Sequence, residues 1–304
     1  MILNVKDETA RLKAVVLGIP DGMGDEPSVE DTFDSKSKES VKKGLYPTEE
    51  AVRMEMNAFD SVLKKHNVQV FRPWKLPEVN QVFARDVALV IDDKMIIANL
   101  IEDREEEQEA YELIFNSVPK KNLIHVPSEV HIEGGDILLW KEFIFVGTYK
   151  KDDYSNFKTA RTNAAAVEFL KDLFPNKWVL DFDLVKDDDD PYKGILHLDC
   201  TFQPVGHNKA IIYKDGFIHQ RHYDVILDLF GRQNVFEVTQ EEMYWMNPNV
   251  FSISPEVVVS EKNFTRLNQH MRDEWGITVE EIPYREVSRM GGLLRCSTMP
   301  LIRD

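Results

Sequence analysis

Asp86-Val-Ala-Leu-Val-Ile-Asp-Asp-Lys-Met-Ile-Ile-Ala98 is a pair of short apolar runs around a polar turn, and the same pattern returns along the chain. It reads Asp136-Ile-Leu-Leu-Trp-Lys-Glu-Phe-Ile-Phe-Val-Gly147, then Asp199-Cys-Thr-Phe-Gln-Pro-Val-Gly-His-Asn-Lys-Ala-Ile-Ile-Tyr213, then Asn249-Val-Phe-Ser-Ile-Ser-Pro-Glu-Val-Val-Val-Ser260. A weaker copy stands at Leu12-Lys-Ala-Val-Val-Leu-Gly18. Runs rich in β-branched and aromatic residues on either side of a turn are a hairpin signal. The copies recur at roughly 50–60 residues, near the upper end of the periods that mark repeat architectures.

Helical patterns lie between the hairpins. Residues 48–65 place apolar side chains at helical spacing behind Thr48, with Glu49 and Glu50 in the first turn. Residues 104–115, 162–174 and 263–275 read the same way, and further short strands are expected at 68–71, 122–126, 177–180, 234–238 and 278–282. The unit is strand, strand, helix, strand, repeated five times. Such units bury their apolar faces only against one another, which favours a closed ring with a central pore over an ordinary mixed sheet. Residues 1–304 are expected to form one domain. Within it, 21–44 is polar and aperiodic and reads as a long loop or lid. The acid run 187–190 reads as a solvated loop.

Composition narrows the function. A formal charge of −16 argues against nucleic acid, whose phosphates demand a basic surface; it confers solubility first, with attraction of cationic small molecules as the second reading. No apolar run reaches the roughly 20 residues that span a bilayer, and residues 1–7 lack the pattern of a secretory signal. Two cysteines, Cys200 and Cys296, make no disulfide framework and fit a reducing cytoplasm.

If the first strand of every unit points the same way, the strand starts line one end of the ring. They carry Asp86, Glu133 to Asp136, His197 to Asp199, and Asn249, while Gly291-Gly292 lead into Arg295-Cys296. Clustered carboxylates raise one another's pKa and call for a cation; a planar guanidinium, donating paired hydrogen bonds, suits them. A thiolate is a strong nucleophile, and a histidine can supply the proton for a leaving amine. Singly, each residue has a plainer explanation: Cys296 as a small buried apolar group, His197 and Asp199 as alternating strand residues, Arg85-Asp86 as a surface pair. Their matching repeat positions change the balance.

Four motifs, Asn80-Gln-Val-Phe-Ala-Arg-Asp86, Glu133-Gly-Gly-Asp136, His197-Leu-Asp-Cys-Thr-Phe202 and Arg295-Cys-Ser-Thr-Met-Pro-Leu301, give the chain a resemblance. It resembles the guanidino-group-modifying enzymes: arginine deiminases, glycine amidinotransferases and dimethylarginine dimethylaminohydrolases. The resemblance implies the pentein fold, a five-bladed α/β propeller around a central active-site cavity. It implies Cys296 as nucleophile, His197 as general acid/base, Glu133 on His197 and the guanidinium, and Asp86 and Asp199 as clamps on the guanidinium nitrogens. It also implies Asn80 and Arg161 for the amino-acid end of a substrate, with Arg289 and Arg295 as further candidates. The expected partner is a small guanidine such as arginine, with no metal or cofactor; homo-oligomerisation is left open. Deiminase-type hydrolysis is favoured, with amidino transfer to an acceptor amine as the alternative. More distant readings are a metallohydrolase, for which no compact zinc spacing is present, and a non-catalytic pentein.

Overall fold

The computed structural model describes residues 1–304. Fifteen strands form five three-stranded sheets. In the first, β1 (Leu12–Leu17) lies between β2 (Gln69–Phe71) and β15 (Thr298–Arg303). The others are β3 (Ala88–Ile91), β4 (Lys94–Ile97) and β5 (Leu123–His125); β6 (Ile137–Trp140), β7 (Phe143–Thr148) and β8 (Trp178–Asp183); β9 (Phe202–Val205), β10 (Lys209–Ile212) and β11 (Val235–Glu237); and β12 (Phe251–Ser254), β13 (Val257–Glu261) and β14 (Thr278–Ile282). In each of these four sheets a hairpin is followed by a third strand parallel to the hairpin's second.

The weak first copy at Leu12 has no hairpin partner next to it in sequence. Its partner is β15, which pairs antiparallel with β1 from Leu12↔Arg303 to Leu17↔Thr298. The end of the chain thereby completes the sheet that its beginning starts. Burial then sorts the strands. Every residue of β3, β6, β9 and β12 is buried, whereas β2, β5, β11 and β14 are partly exposed. The hairpins' first strands are therefore the inner ones, and their near-continuous apolar runs suit burial on both faces.

Helices cover the outside. Thr48 caps Glu49–Lys65 by accepting Ala51 N at 3.3 Å, and Asn163 caps Ala164–Leu173 by accepting Ala166 N at 3.1 Å. Helix Gln220–Phe230 was not expected. It buries Tyr223, Ile226, Leu227 and Phe230 at helical spacing but has no side-chain cap, so its start carries no signal. The segment read as one helix at 104–115 is a 3₁₀ helix, Glu102–Tyr111, running into a short α-helix, Glu112–Ser117. Arg104, Glu107 and Ala110 are its buried edge, three apart as the tighter helix requires.

Two expectations need correction. Residues 21–44 are not all loop: Ser35–Lys42 is an α-helix whose cap, Asp34, accepts Lys36 N and Ser37 N at 2.9 and 2.8 Å. Nor is 187–190 only a solvated loop. Asp188 accepts from Lys158 N, Thr159 N and Thr159 Oγ1, and Asp189 pairs with Lys38 of the 35–42 helix at 2.6 Å. Charged side chains fill the centre. Arg85, Arg295, Arg303 and Glu8 are buried, with Arg295 bonded to Glu8 at 2.8 Å and Arg303 to Ser252 O at 2.9 Å. No helix is long and apolar enough to cross a membrane.

Candidate active site

Each sheet sends one short segment to the same end of the molecule, just ahead of its inner strand. The turn Ala84–Val87 carries Asp86 before β3, and Glu133 precedes the turn Gly134–Asp136 before β6. His197 precedes the turn Leu198–Cys200, which carries Asp199 before β9. Asn249 stands before β12, and Cys296 before β15. The turns lock together. Asp136 Oδ1 accepts Leu198 N at 2.9 Å, and Asp86 Oδ1 accepts Gly135 N at 3.2 Å. A Cβ on Gly135 would stand 2.5 Å from His197 Nδ1, so only glycine permits this approach. Lys186 Nζ donates to Ile195 O and Leu196 O, fixing the chain that leads to His197.

His197 and Glu133 are fully buried and bonded, Nε2 to Oε2, at 2.9 Å. Asp86 Oδ1 lies 3.8 Å from His197 Nδ1, which has no hydrogen-bond partner. Burial pushes the His197 pKa down, but the charges of Asp86 and Asp136 and the bond to Glu133 outweigh it and raise it to about 9. Burial pushes Glu133 up, but Arg161, His197 and Arg104 prevail and hold its carboxyl well below the usual range. At neutral pH the pair is imidazolium and carboxylate.

Cys296 is buried, with Sγ 3.9 and 4.0 Å from the Asp199 carboxylate oxygens. Burial, with Asp199 and Asp86 beside it, raises its pKa well above the ordinary thiol value. The free protein thus holds Cys296 as a thiol facing acids, where an arriving cation favours ionisation. Cys296, His197, Asp86, Arg104, Phe33 and Asp34 line one pocket of about 10 Å³, room for about one water. Outside it, sharing Phe33, Arg104 and Met290 as walls, lies a cavity of about 290 Å³ that includes Asn80, Tyr46, Glu78 and Asp25.

The remaining expected residues divide. Asn80 lines the outer cavity, its Oδ1 accepting Val82 N at 3.1 Å. Arg161 reaches the centre: its Nη1 donates to both Glu133 oxygens at 3.1 and 3.0 Å, and its Nη2 to Phe33 O at 2.8 Å. Arg289 stays apart, paired with Glu286 at 2.9 Å. Arg295 is corrected outright. It lies beneath the site, fully buried, with its donors taken by Glu8, Asp199, Gly134 O and Ile137 O, and nothing left for a substrate carboxylate.

Two residues at the site carried no assigned role in the sequence. Arg104 donates to Asp86 at 2.9 Å and bidentately to Glu107 at 2.6 and 2.9 Å. Its one signal was being the sole cation in a run with six acids, Glu102 to Tyr111. Asn249, at the strand-start position of its repeat, donates to Cys296 Sγ at 3.2 Å. Ligand atoms of Asp86, Glu133 and His197 lie within 4.8 Å of one another, a set that could hold a metal ion. Arg104 and Arg161 already place positive charge on both carboxylates.

The family described as N,N dimethylarginine dimethylhydrolase, eukaryotic, matches residues 22–303. The chain belongs to that family. It is therefore an enzyme of the guanidino-modifying pentein superfamily, and the five sheets are the pentein's five blades. Among relatives, the uncharacterized protein YkgA of Bacillus subtilis is 29% identical over 245 residues, 79% of this chain and 77% of that protein. An arginine deiminase of Bacillus cytotoxicus is 27% identical over 297 residues, 81% of this chain and 68% of the deiminase. The solved amidinotransferase SxtG of Microseira wollei superposes with a TM-score of 0.77 at 17% identity, covering 99% of this chain and 97% of its own. At that identity the likeness is one of fold.

Proposed function

We propose that the protein hydrolyses a guanidine of the arginine type through a covalent intermediate on Cys296. The observation that carries this reading is the shared pocket: Cys296 and His197 line it together, with Asp86 on its wall and the Asp199 carboxylate 3.9 Å from the sulfur. The substrate guanidinium takes the place of arginine charge at Asp86 and Glu133 and meets Asp199 on the side away from Arg295, donating hydrogen bonds to their oxygens. Its positive charge favours the Cys296 thiolate, whose proton passes to solvent as the substrate binds, His197 being already protonated. Sulfur attacks the guanidinium carbon, and the electrons of the C–N π bond move to nitrogen. His197, cationic at neutral pH, protonates the departing amine as the C–N bond breaks, leaving a thiouronium on Cys296. The neutral imidazole then accepts a proton from water as water attacks the same carbon. The S–C bond breaks, the thiolate returns and a ureido product leaves. The carboxylates supply the electrostatic stabilisation.

A pocket that holds about one water does not admit a guanidinium until its walls move. Arg104 and Phe33 stand between it and the outer cavity, so substrate entry displaces them. In this reading Arg161, once released from Glu133, and Asn80 on the cavity wall meet the substrate's far end. Arg289 has no part in this reading.

Amidino transfer passes through the same intermediate and differs only in what attacks it. Incubation with arginine, agmatine and methylated arginines distinguishes the two. Hydrolysis gives a ureido product without an added acceptor; release of the parent amine only when an acceptor amine is present means transfer. Cys296→Ser should lower turnover by about a thousandfold or more, the scale of losing a covalent nucleophile. Activity that survives this substitution and is lost to a chelator would point instead to metal chemistry at Asp86, Glu133 and His197.

A further inference from the structure

The Asn249 side chain is fully buried, and its orientation is fixed by what it accepts. Its Oδ1 receives the backbone N–H groups of Arg295 at 3.0 Å and Cys296 at 3.2 Å. Both are obligate donors, so the oxygen faces them and the amide nitrogen faces away. That nitrogen stands 3.2 Å from Cys296 Sγ and 3.4 Å from Asp199 O. Its two hydrogens are shared between a carbonyl and the sulfur.

Most of the sulfur's charged surroundings oppose ionisation, while a backbone hydrogen bond from Leu293 favours it. Asp199 and Asp86 raise the thiol pKa along with burial, and Cys200 and Tyr284 add weak acids nearby. Arg295 pulls the other way, but its guanidinium is spent on Glu8 and Asp199. His197 and Arg104 share the pocket and are themselves held by Glu133, Asp86 and Glu107. Asn249 is the neutral side-chain donor within hydrogen-bond reach of the sulfur, beside the backbone N–H of Leu293.

We propose that Asn249 is a positioning residue for the reaction, donating from Nδ2 to the Cys296 sulfur so that the thiolate is stabilised and aimed into the pocket. An N–H group bonds an anion more strongly than a neutral thiol, so the contact lowers the thiol pKa. The same donor assists twice: it stabilises sulfur before attack, and again when the S–C bond breaks and the electron pair returns. This role rests on Cys296 being the nucleophile.

The test is Asn249→Asp, which keeps the shape and the oxygen that serves the two backbone N–H groups but puts a second oxygen against the sulfur. Alkylation of Cys296 by iodoacetamide, followed at the peptide level across pH, reads the thiol directly and needs no turnover. The apparent thiol pKa should rise by about one unit or more, so that alkylation at pH 8 slows by about tenfold. The kcat should fall while KM for the guanidine stays within about twofold. An unshifted thiol pKa with only a lowered melting temperature would overturn the proposal, since a purely structural asparagine does that. If the aspartate variant does not fold, Asn249→Ser removes the amide from the sulfur and is read by the same two quantities. Failure of the nucleophile reading looks different: the pKa still moves, but Cys296→Ser and alkylated protein keep turning over.

Discussion

His197 shows how burial and charge compete at one residue. Its folded pKa of about 9 lies above the unfolded value of about 6.5, because Asp86, Asp136 and Glu133 outweigh the burial that alone would lower it. A raised histidine pKa contributes stability that is fully present below about pH 6.5 and lost as pH rises through about 9. The urea midpoint should therefore fall between pH 7 and 9.5, and fall less steeply in His197→Gln; equal slopes would mean that the imidazolium is not held by those acids. At this scale the acids, histidine and cysteine were legible because they occupy matching repeat positions. Arg295 was misread because adjacency to Cys296 in sequence says nothing about direction: its side chain points beneath the site, to Glu8 some 287 residues away. Arg104 was missed for the same kind of reason, since its bond to Asp86 depends on the docking of a 3₁₀ helix that no motif marks.

Among the elements, the 35–42 helix is the one that bears on access. Phe33 and Asp34, just ahead of it, line the pocket that holds Cys296 and His197, and the Asp34 carboxylate packs where a Cβ on Gly291, at φ 84°, would collide. Lys36 anchors the helix by lying over the Tyr244 ring, 2.9 Å from its centroid, and donating to Tyr244 O at 3.2 Å. A polar sequence with no apolar stripe concealed this, because the helix is docked by its cap, a cation and small serines rather than by an apolar face. Asp34→Ala removes the cap and should weaken the helix by about 0.5–2 kcal/mol. Hydrogen exchange should then quicken at residues 33–44 while β3, β6, β9 and β12 keep their protection. Equal loss of protection in those strands would show that the segment does not open on its own. The hairpins, by contrast, were plain from alternating apolar runs and turns, and the uncapped helix Gln220–Phe230 was not.

For the molecule as a whole, pairing of β15 with β1 brings residues scattered from Asp86 to Cys296 to one end of five sheets. The repeat implied that convergence; the closure of the first sheet by the last strand was not visible, because the partners lie at opposite ends of the sequence. The buried arginines and Glu8 at the centre were equally hidden, since charged side chains read as surface until their partners are known. What the architecture achieves chemically is a sulfur facing a ring of acids, and one measurement addresses that directly. Protein turning over arginine, agmatine or a methylated arginine is quenched in acid, and its intact mass and cysteine-containing peptides are determined. For at least one of these guanidines, a mass increase equal to the substrate less its leaving amine is expected, located on Cys296 and absent from Cys296→Ser. Sustained turnover with Cys296 unmodified at every quench time would contradict that expectation.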